Sequence, residues 1–201
     1  DLLGTGDYDS IRGIIDRALK AGQDRNVGHE YVKDVFSRYI ENKRNPIPFP
    51  WPQFNDITQG GYGGGELILM FGNPGGGKTW AAIAMAAHAA RQGKKVVFYT
   101  LELSESAIGK RLDAYLSGIP IQDLDRTDKN KLQELISKEV KGNIIIKGYP
   151  PRKASLYTVE NHLAKLKSVN DFVPELIIID YLDLFKNKKS RREKKEDIDD
   201  I

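Results

Sequence analysis

The run Gly72-Asn73-Pro74-Gly75-Gly76-Gly77-Lys78-Thr79 constrains this chain more than any other feature, because it spells a complete G-x-x-x-x-G-K-T phosphate loop. An apolar stretch, Glu66–Phe71, stands directly before it, and an alanine-rich stretch, Trp80–Arg91, follows. Strand, glycine-rich turn and helix in that order form the context the motif requires. The glycines let successive backbone N–H groups converge on a polyphosphate with no Cβ in the way. The following helix adds its unpaired first-turn donors and the positive end of its dipole. Lys78 is expected on the β- and γ-phosphates and the Thr79 hydroxyl on Mg²⁺. The expected ligand is a nucleoside triphosphate.

Around this loop, strand-like and helix-like segments alternate. Strands are expected at 66–71, Val96–Thr100, Asn143–Lys147 and Leu176–Asp180, and helices at 78–92, Ser104–Ser117, Asp128–Val140 and Thr158–Ser168. Continuous apolar strands separated by amphipathic helices imply an α/β fold, its sheet mostly parallel and covered by helices on both faces. Two helical stripes precede it. Ile11, Ile14, Ile15, Ala18 and Leu19 share one face behind a cap at Asp9 or Ser10, and Tyr31, Val32, Val35, Phe36, Tyr39 and Ile40 form the second. The proline-rich segment Pro46–Pro52 interrupts helix and marks a boundary. The expected division is therefore a helical extension over 1–45 and an α/β core over 46–201. A phosphate-loop sheet ordinarily has more strands than four, so the chain is expected to be part of a longer protein.

Composition narrows the function classes. No run of about 18 apolar residues is present, so a membrane-spanning helix is not expected. The first residues lack the basic and apolar regions of a secretory signal. With no cysteine among 201 residues, disulfide frameworks, thiolate metal sites and cysteine nucleophiles are excluded, and a cytoplasmic location is the default. The net charge of +3 is mild, but residues 186–195 concentrate seven of the 31 basic side chains.

Two carboxylates complete the candidate chemistry. Leu176-Ile177-Ile178-Ile179-Asp180 is an apolar strand delivering an acid at its carboxyl end, the ligand-binding edge of a parallel sheet. Asp180 is expected to share Mg²⁺ with Thr79. Glu102 follows the next strand-like run, where a carboxylate can orient and deprotonate the water that attacks a γ-phosphate. Glu105 is the better candidate for capping the helix beginning at Ser104, which leaves Glu102 for chemistry. Trp80, next to Thr79, is a candidate nucleotide contact or a core residue, and Arg111 a further group able to approach the nucleotide. Phe49 and Trp51 read as anchors of the proline-rich loop. His29, His88 and His162 have no ligand spacing.

Taken together, Gly65-Glu66-Leu67-Ile68-Leu69, the loop 72–79, Tyr99-Thr100-Leu101-Glu102-Leu103-Ser104 and Ile179-Asp180-Tyr181-Leu182-Asp183-Leu184 resemble the ATPase domain of the DnaB-type replicative helicases. Phe54–Gly61 is similar to that family's approach to the core. Lys110–Ala114 and Lys147–Pro150 resemble the T-even phage branch in particular. The resemblance runs from about residue 47 to 186. It implies a RecA-like fold, hexameric rings with ATP between subunits, translocation along single-stranded DNA, and contact with a primase and a loader in a bacterial or phage-infected cytoplasm.

Carried over by position, Gly72–Thr79 hold the phosphates, Lys78 and Glu102 are catalytic, and Thr79 and Asp180 bind Mg²⁺. The segment 11–21 stands where the family has a helix that docks on the neighbouring subunit; the alternative is a helix packed on its own domain. Lys186, Lys188, Lys189, Arg191 and Arg192, with Lys194 and Lys195, fall on a loop that faces DNA in the family; such side chains neutralise phosphates without regard to sequence. Where the family often carries Gln, this chain has Asp183. The alternatives are a RecA- or KaiC-like ATPase acting in recombination or regulation, and an assembly module gated by nucleotide without turnover.

Overall fold

The structure, a computed structural model, describes residues 28–40 and 44–184. The chain divides into two units between residues 43 and 44, and each is described by itself. In the first unit a short helix, α1 (Val35–Ile40), follows Asp34, whose carboxylate accepts the Glu30 backbone N–H at 2.7 Å. Tyr31, Val32, Phe36 and Tyr39, the stripe read from the sequence, are exposed. The stripe over 11–19 and its expected cap lie outside the described residues.

The second unit runs α2 (Pro52–Ile57), α3 (Lys78–Arg91), β1 (Lys95–Thr100), α4 (Glu105–Ser117), α5 (Lys129–Glu139), β2 (Asn143–Gly148), α6 (Leu156–Asn170) and β3 (Leu176–Asp180). The strands form a parallel sheet in the order β2-β1-β3. Register is fixed by Lys95 opposite Asn143 and by Thr100 opposite Asp180. Strand β1 is central, and from Val96 to Thr100 it is fully buried. Because side chains alternate along a strand, Val96 and Phe98 pack with Ile83, Ala86, Ile108 and Leu112 of α3 and α4. Val97 and Tyr99 face the other way, onto Val159 and Leu166 of α6. Helices thus cover both faces of a RecA-like α/β core. Burying Phe98 alone stabilises the fold by about 1.5–3 kcal/mol.

Helix boundaries follow local chemistry. The Ser104 and Asp128 side chains accept the backbone N–H groups of Ala107 and Lys131, capping α4 and α5. Gly118, at φ 72°, ends α4 in the left-handed conformation that glycine adopts without a Cβ penalty. Ser155 and Thr158 form a reciprocal capping box at the start of α6.

The sequence reading needs two corrections here. The expected strand over 66–71 is not formed: the segment pairs with no strand among the described residues, and Leu67, Leu69 and Phe71 are exposed. An apolar run becomes a strand only where a neighbouring strand satisfies its backbone, and this segment lies along neither open edge of the β2-β1-β3 sheet. Pro52, expected within a helix-excluding segment, instead begins α2, since a first-turn proline sacrifices no helical hydrogen bond.

The approach to the phosphate loop is held by side chains. Ile47 and Tyr62 form an antiparallel bridge, with Phe49 edge-on to Tyr62 at 5.0 Å. Trp51 packs against the same cluster, so both aromatic residues of the proline-rich loop are anchors. Arg44 joins the loop's two ends, donating to the carbonyls of Gln59 and Gly61 and pairing with Glu66 at 2.8 Å. Its guanidinium, with the Gly63 N–H, holds the Glu66 carboxyl down to about 2. At Gly61, φ is 125° and an added Cβ would stand 2.1 Å from the Ile47 carbonyl oxygen, so this crossing requires glycine.

Candidate active site

The phosphate loop turns where its glycines adopt conformations other residues avoid: φ is 76° at Gly75 and 83° at Gly77. The Gly76 N–H donates to the Asn73 carbonyl at 3.0 Å and closes the bend. Lys78 begins α3, and its ammonium folds back onto the loop, donating to the carbonyls of Gly72 at 2.8 Å and Asn73 at 3.0 Å.

Thr79, one residue on, reaches the sheet. Its hydroxyl donates to a carboxylate oxygen of Asp180 at 2.9 Å, across 101 residues of sequence. Asp180 is buried at the carboxyl end of β3, level with Thr100, and its carbonyl accepts the Leu101 N–H at 2.9 Å. A hydroxyl and a carboxylate offer an all-oxygen donor set, the kind Mg²⁺ prefers. Among the described residues no cluster of three or more acidic, histidine or cysteine side chains stands ready to hold a metal. A cation here would therefore take its remaining ligands from phosphate oxygens and water, the usual manner for Mg²⁺ with a nucleotide. The residues fit a Mg²⁺–nucleotide.

Glu102 sits on the turn that leaves β1, two residues beyond the Thr100–Asp180 pairing. The turn is shaped by Thr100, whose hydroxyl donates to the Leu103 carbonyl at 2.8 Å and accepts the Leu103 N–H. Glu102 is exposed and has no hydrogen-bond or ion-pair partner among the described residues. Its neighbour Glu105, read as the capping residue, has another task. The Gly148 N–H donates to its carboxylate at 2.8 Å, holding that carboxyl below its ordinary range, while Ser104 provides the cap.

Trp80 is half-exposed rather than core, and the Arg111 guanidinium lies 5.5 Å from its ring centroid. This cation–π contact places the α4 arginine beside the start of α3. The basic residues Lys186, Lys188, Lys189, Arg191 and Arg192 lie outside the described residues. Sequence reading missed the contact between the Tyr99 hydroxyl and His162 Nδ1, 2.9 Å apart, because 63 residues separate them. Burial pushes Tyr99 up to about 12 and His162 below its ordinary value. A cleft of about 380 Å³ between α4, α5 and β2 includes none of the loop residues in its lining, and burial there raises the Asp113 carboxyl.

A parallel sheet covered on both faces, with a glycine loop whose threonine meets a strand-end aspartate, defines a RecA-like protein of the phosphate-loop class. The chain belongs to the family of DnaB-like helicase C-terminal domains, which matches residues 48–201. It is 31% identical to the DnaB-like replicative helicase of Enterobacteria phage T4, over 92% of this chain and 41% of that protein. A probable plasmid replicative DNA helicase of Chlamydia trachomatis is 27% identical over 95% of this chain and 47% of its own length. The replicative DNA helicase DnaB of Helicobacter pylori is 25% identical over 86% and 37%. The chain thus spans less than half the length of these relatives. Among the described residues no helix is long and apolar enough to cross a membrane.

Proposed function

We propose that this chain is the ATPase domain of a replicative DNA helicase that hydrolyses ATP to move along single-stranded DNA. The observation that carries the reading is the 2.9 Å contact between Thr79 and Asp180, which joins the phosphate loop to the strand-end acid. Lys78 and the backbone N–H groups of Gly77–Thr79, at the start of α3, bind and orient the triphosphate in the loop Gly72–Thr79. Thr79 and Asp180 hold Mg²⁺, which neutralises charge on the phosphate oxygens when bound. Glu102 accepts a proton from the water that attacks the γ-phosphate, breaking the bond between the γ-phosphorus and the β–γ bridging oxygen and releasing ADP and phosphate. The exposure of Glu102 and its freedom from partners among the described residues support that role. Arg111, beside Trp80, is a further candidate for contact with the nucleotide.

Lys186, Lys188, Lys189, Arg191 and Arg192 contact the DNA backbone in this reading, immediately after the Mg²⁺ strand. Assembly into a homo-oligomeric ring, contact with a primase and a loader, and action in the cytoplasm rest on the likeness to the relatives named above. The test is unwinding of a forked duplex by the full-length protein with Mg²⁺ and ATP. Unwinding that disappears in Lys78→Ala supports the reading. Robust ATP turnover with no unwinding and no response to DNA would favour a regulatory ATPase instead.

A further inference from the structure

The turn between β2 and α6 is built in a manner its own packing does not explain. Lys153 N–H donates to the Pro150 carbonyl at 3.1 Å, closing a β-turn with Pro151 second and Arg152 third. Arg152 has φ 59°. A left-handed third residue behind proline is the type II pattern, a position that glycine or asparagine fills with least strain. An arginine there is unfavourable for the backbone and has a side chain that is exposed and makes no ion pair among the described residues.

The turn is also firmly mounted. Tyr149 N–H donates to the Thr100 carbonyl at 3.0 Å, and its ring stacks on Tyr99. Ala154 is fully buried. Arg152 N–H donates to the Leu184 carbonyl at 2.7 Å, tying the turn to the segment that leaves β3, two residues ahead of Lys186 in sequence. Four residues beyond Lys153 in sequence, Tyr157 stands in the first turn of α6 with 69% of its surface exposed. No acidic residue occurs between Tyr149 and Val159. Paired cations on an anchored turn, followed in sequence by an exposed ring, match what a single strand offers, phosphates along its backbone and stackable bases.

We propose that Arg152, Lys153 and Tyr157 form a contact for single-stranded DNA, the cations on its phosphates and the ring against a base. The proposal rests on the single-strand reading above and adds a second surface to the basic segment named there. Leu184 anchors the turn next to the strand that carries Asp180, so this contact is mechanically joined to the nucleotide side of the sheet.

The test is the salt dependence of binding by the full-length protein to a labelled oligothymidylate, read by fluorescence anisotropy, with oligomeric state followed by light scattering. Each phosphate contact on a single strand contributes about 0.7 to the slope of log K against log salt. The double variant Arg152→Gly, Lys153→Gln should lower that slope by about 1.4 for each subunit on the strand, which makes binding at least about 25-fold weaker at 0.1 M salt if the two proteins are equal at 1 M. Its melting temperature should hold or rise, because glycine accepts the left-handed conformation. Tyr157→Ala should weaken binding by at least about fivefold while leaving the slope intact, as expected for lost stacking. An unchanged slope in the double variant beside normal wild-type binding overturns this contact alone. The same holds if the double variant loses only its oligomeric state, which would make the turn a subunit contact. A wild-type protein that does not bind the oligothymidylate overturns the single-strand reading and this contact with it.

Discussion

The contact between Thr79 and Asp180 lets the metal role be separated from simple packing. Thr79→Val keeps the shape of the side chain but removes the hydroxyl donor, leaving the buried Asp180 carboxylate without it. A hydrogen bond to a charged group contributes about 1.5–3 kcal/mol. For a domain of this size that corresponds to a fall in melting temperature of about 3–12 °C without nucleotide. Asp180→Asn differs in origin: it removes the buried charge and still offers the Thr79 hydroxyl an acceptor, so the nucleotide-free protein should melt within a few degrees of wild type. With Mg²⁺ and ATP at about 100 times Kd, the wild type should gain about 2.7 kcal/mol of stability. Both variants should lose most of that gain. Differential scanning fluorimetry of the full-length proteins, with and without Mg²⁺–ATP, reads all four quantities. If Thr79→Val melts with wild type in the absence of nucleotide, the contact contributes nothing. If Asp180→Asn keeps the full Mg²⁺–ATP gain, Asp180 is not a metal ligand.

Other outcomes follow from the same structure. Gly61→Ala should destabilise the protein by more than about 2 kcal/mol, seen as a lower denaturant midpoint, because an added Cβ meets the Ile47 carbonyl. Glu66, held at about 2 in the folded chain against an ordinary 4.5, binds fewer protons folded than unfolded at acid pH. Its contribution is therefore complete above about pH 4.5 and disappears as pH falls toward 2; Glu66→Gln should flatten the melting profile across that window. His162 is shifted down from its ordinary 6.5 by burial and by Lys147 and Lys165, so it resists protonation when folded. Stability linked to it should decline as pH falls below about 6.5, a trend that His162→Gln should remove from a pH series of thermal melts.

The sequence made legible what local chemistry decides. The phosphate loop and the buried run Val96–Thr100 each follow from a few adjacent residues, whereas the cap of α4 falls on Ser104 rather than on Glu105, because Glu105 is drawn to the Gly148 N–H of a remote strand. The juxtaposition of Thr79 with Asp180 was also foreseeable, because an apolar strand ending in an acid delivers it to the loop edge of a parallel sheet. Features that depend on remote partners were not legible. Residues 66–71 have the composition of a strand, but pairing depends on a neighbouring edge that no local pattern supplies. The Arg44 clasp spans 22 residues to Glu66, and the Tyr99–His162 contact spans 63. Trp80 looked like core on an alanine-rich helix, yet its position on α3 turns it outward toward Arg111. Arg152 carried no signal beyond Pro-Pro before two cations; only its backbone angle distinguishes it.

The most direct test of the central claim is steady-state ATP hydrolysis by the full-length protein with and without single-stranded DNA, for wild type and Glu102→Gln. The expected result is DNA-stimulated turnover in the wild type and a loss of about 10²–10⁴-fold in Glu102→Gln with nucleotide binding retained, as for removal of a general base. Wild-type turnover that ignores DNA, or a Glu102→Gln enzyme that keeps full activity, would contradict the account.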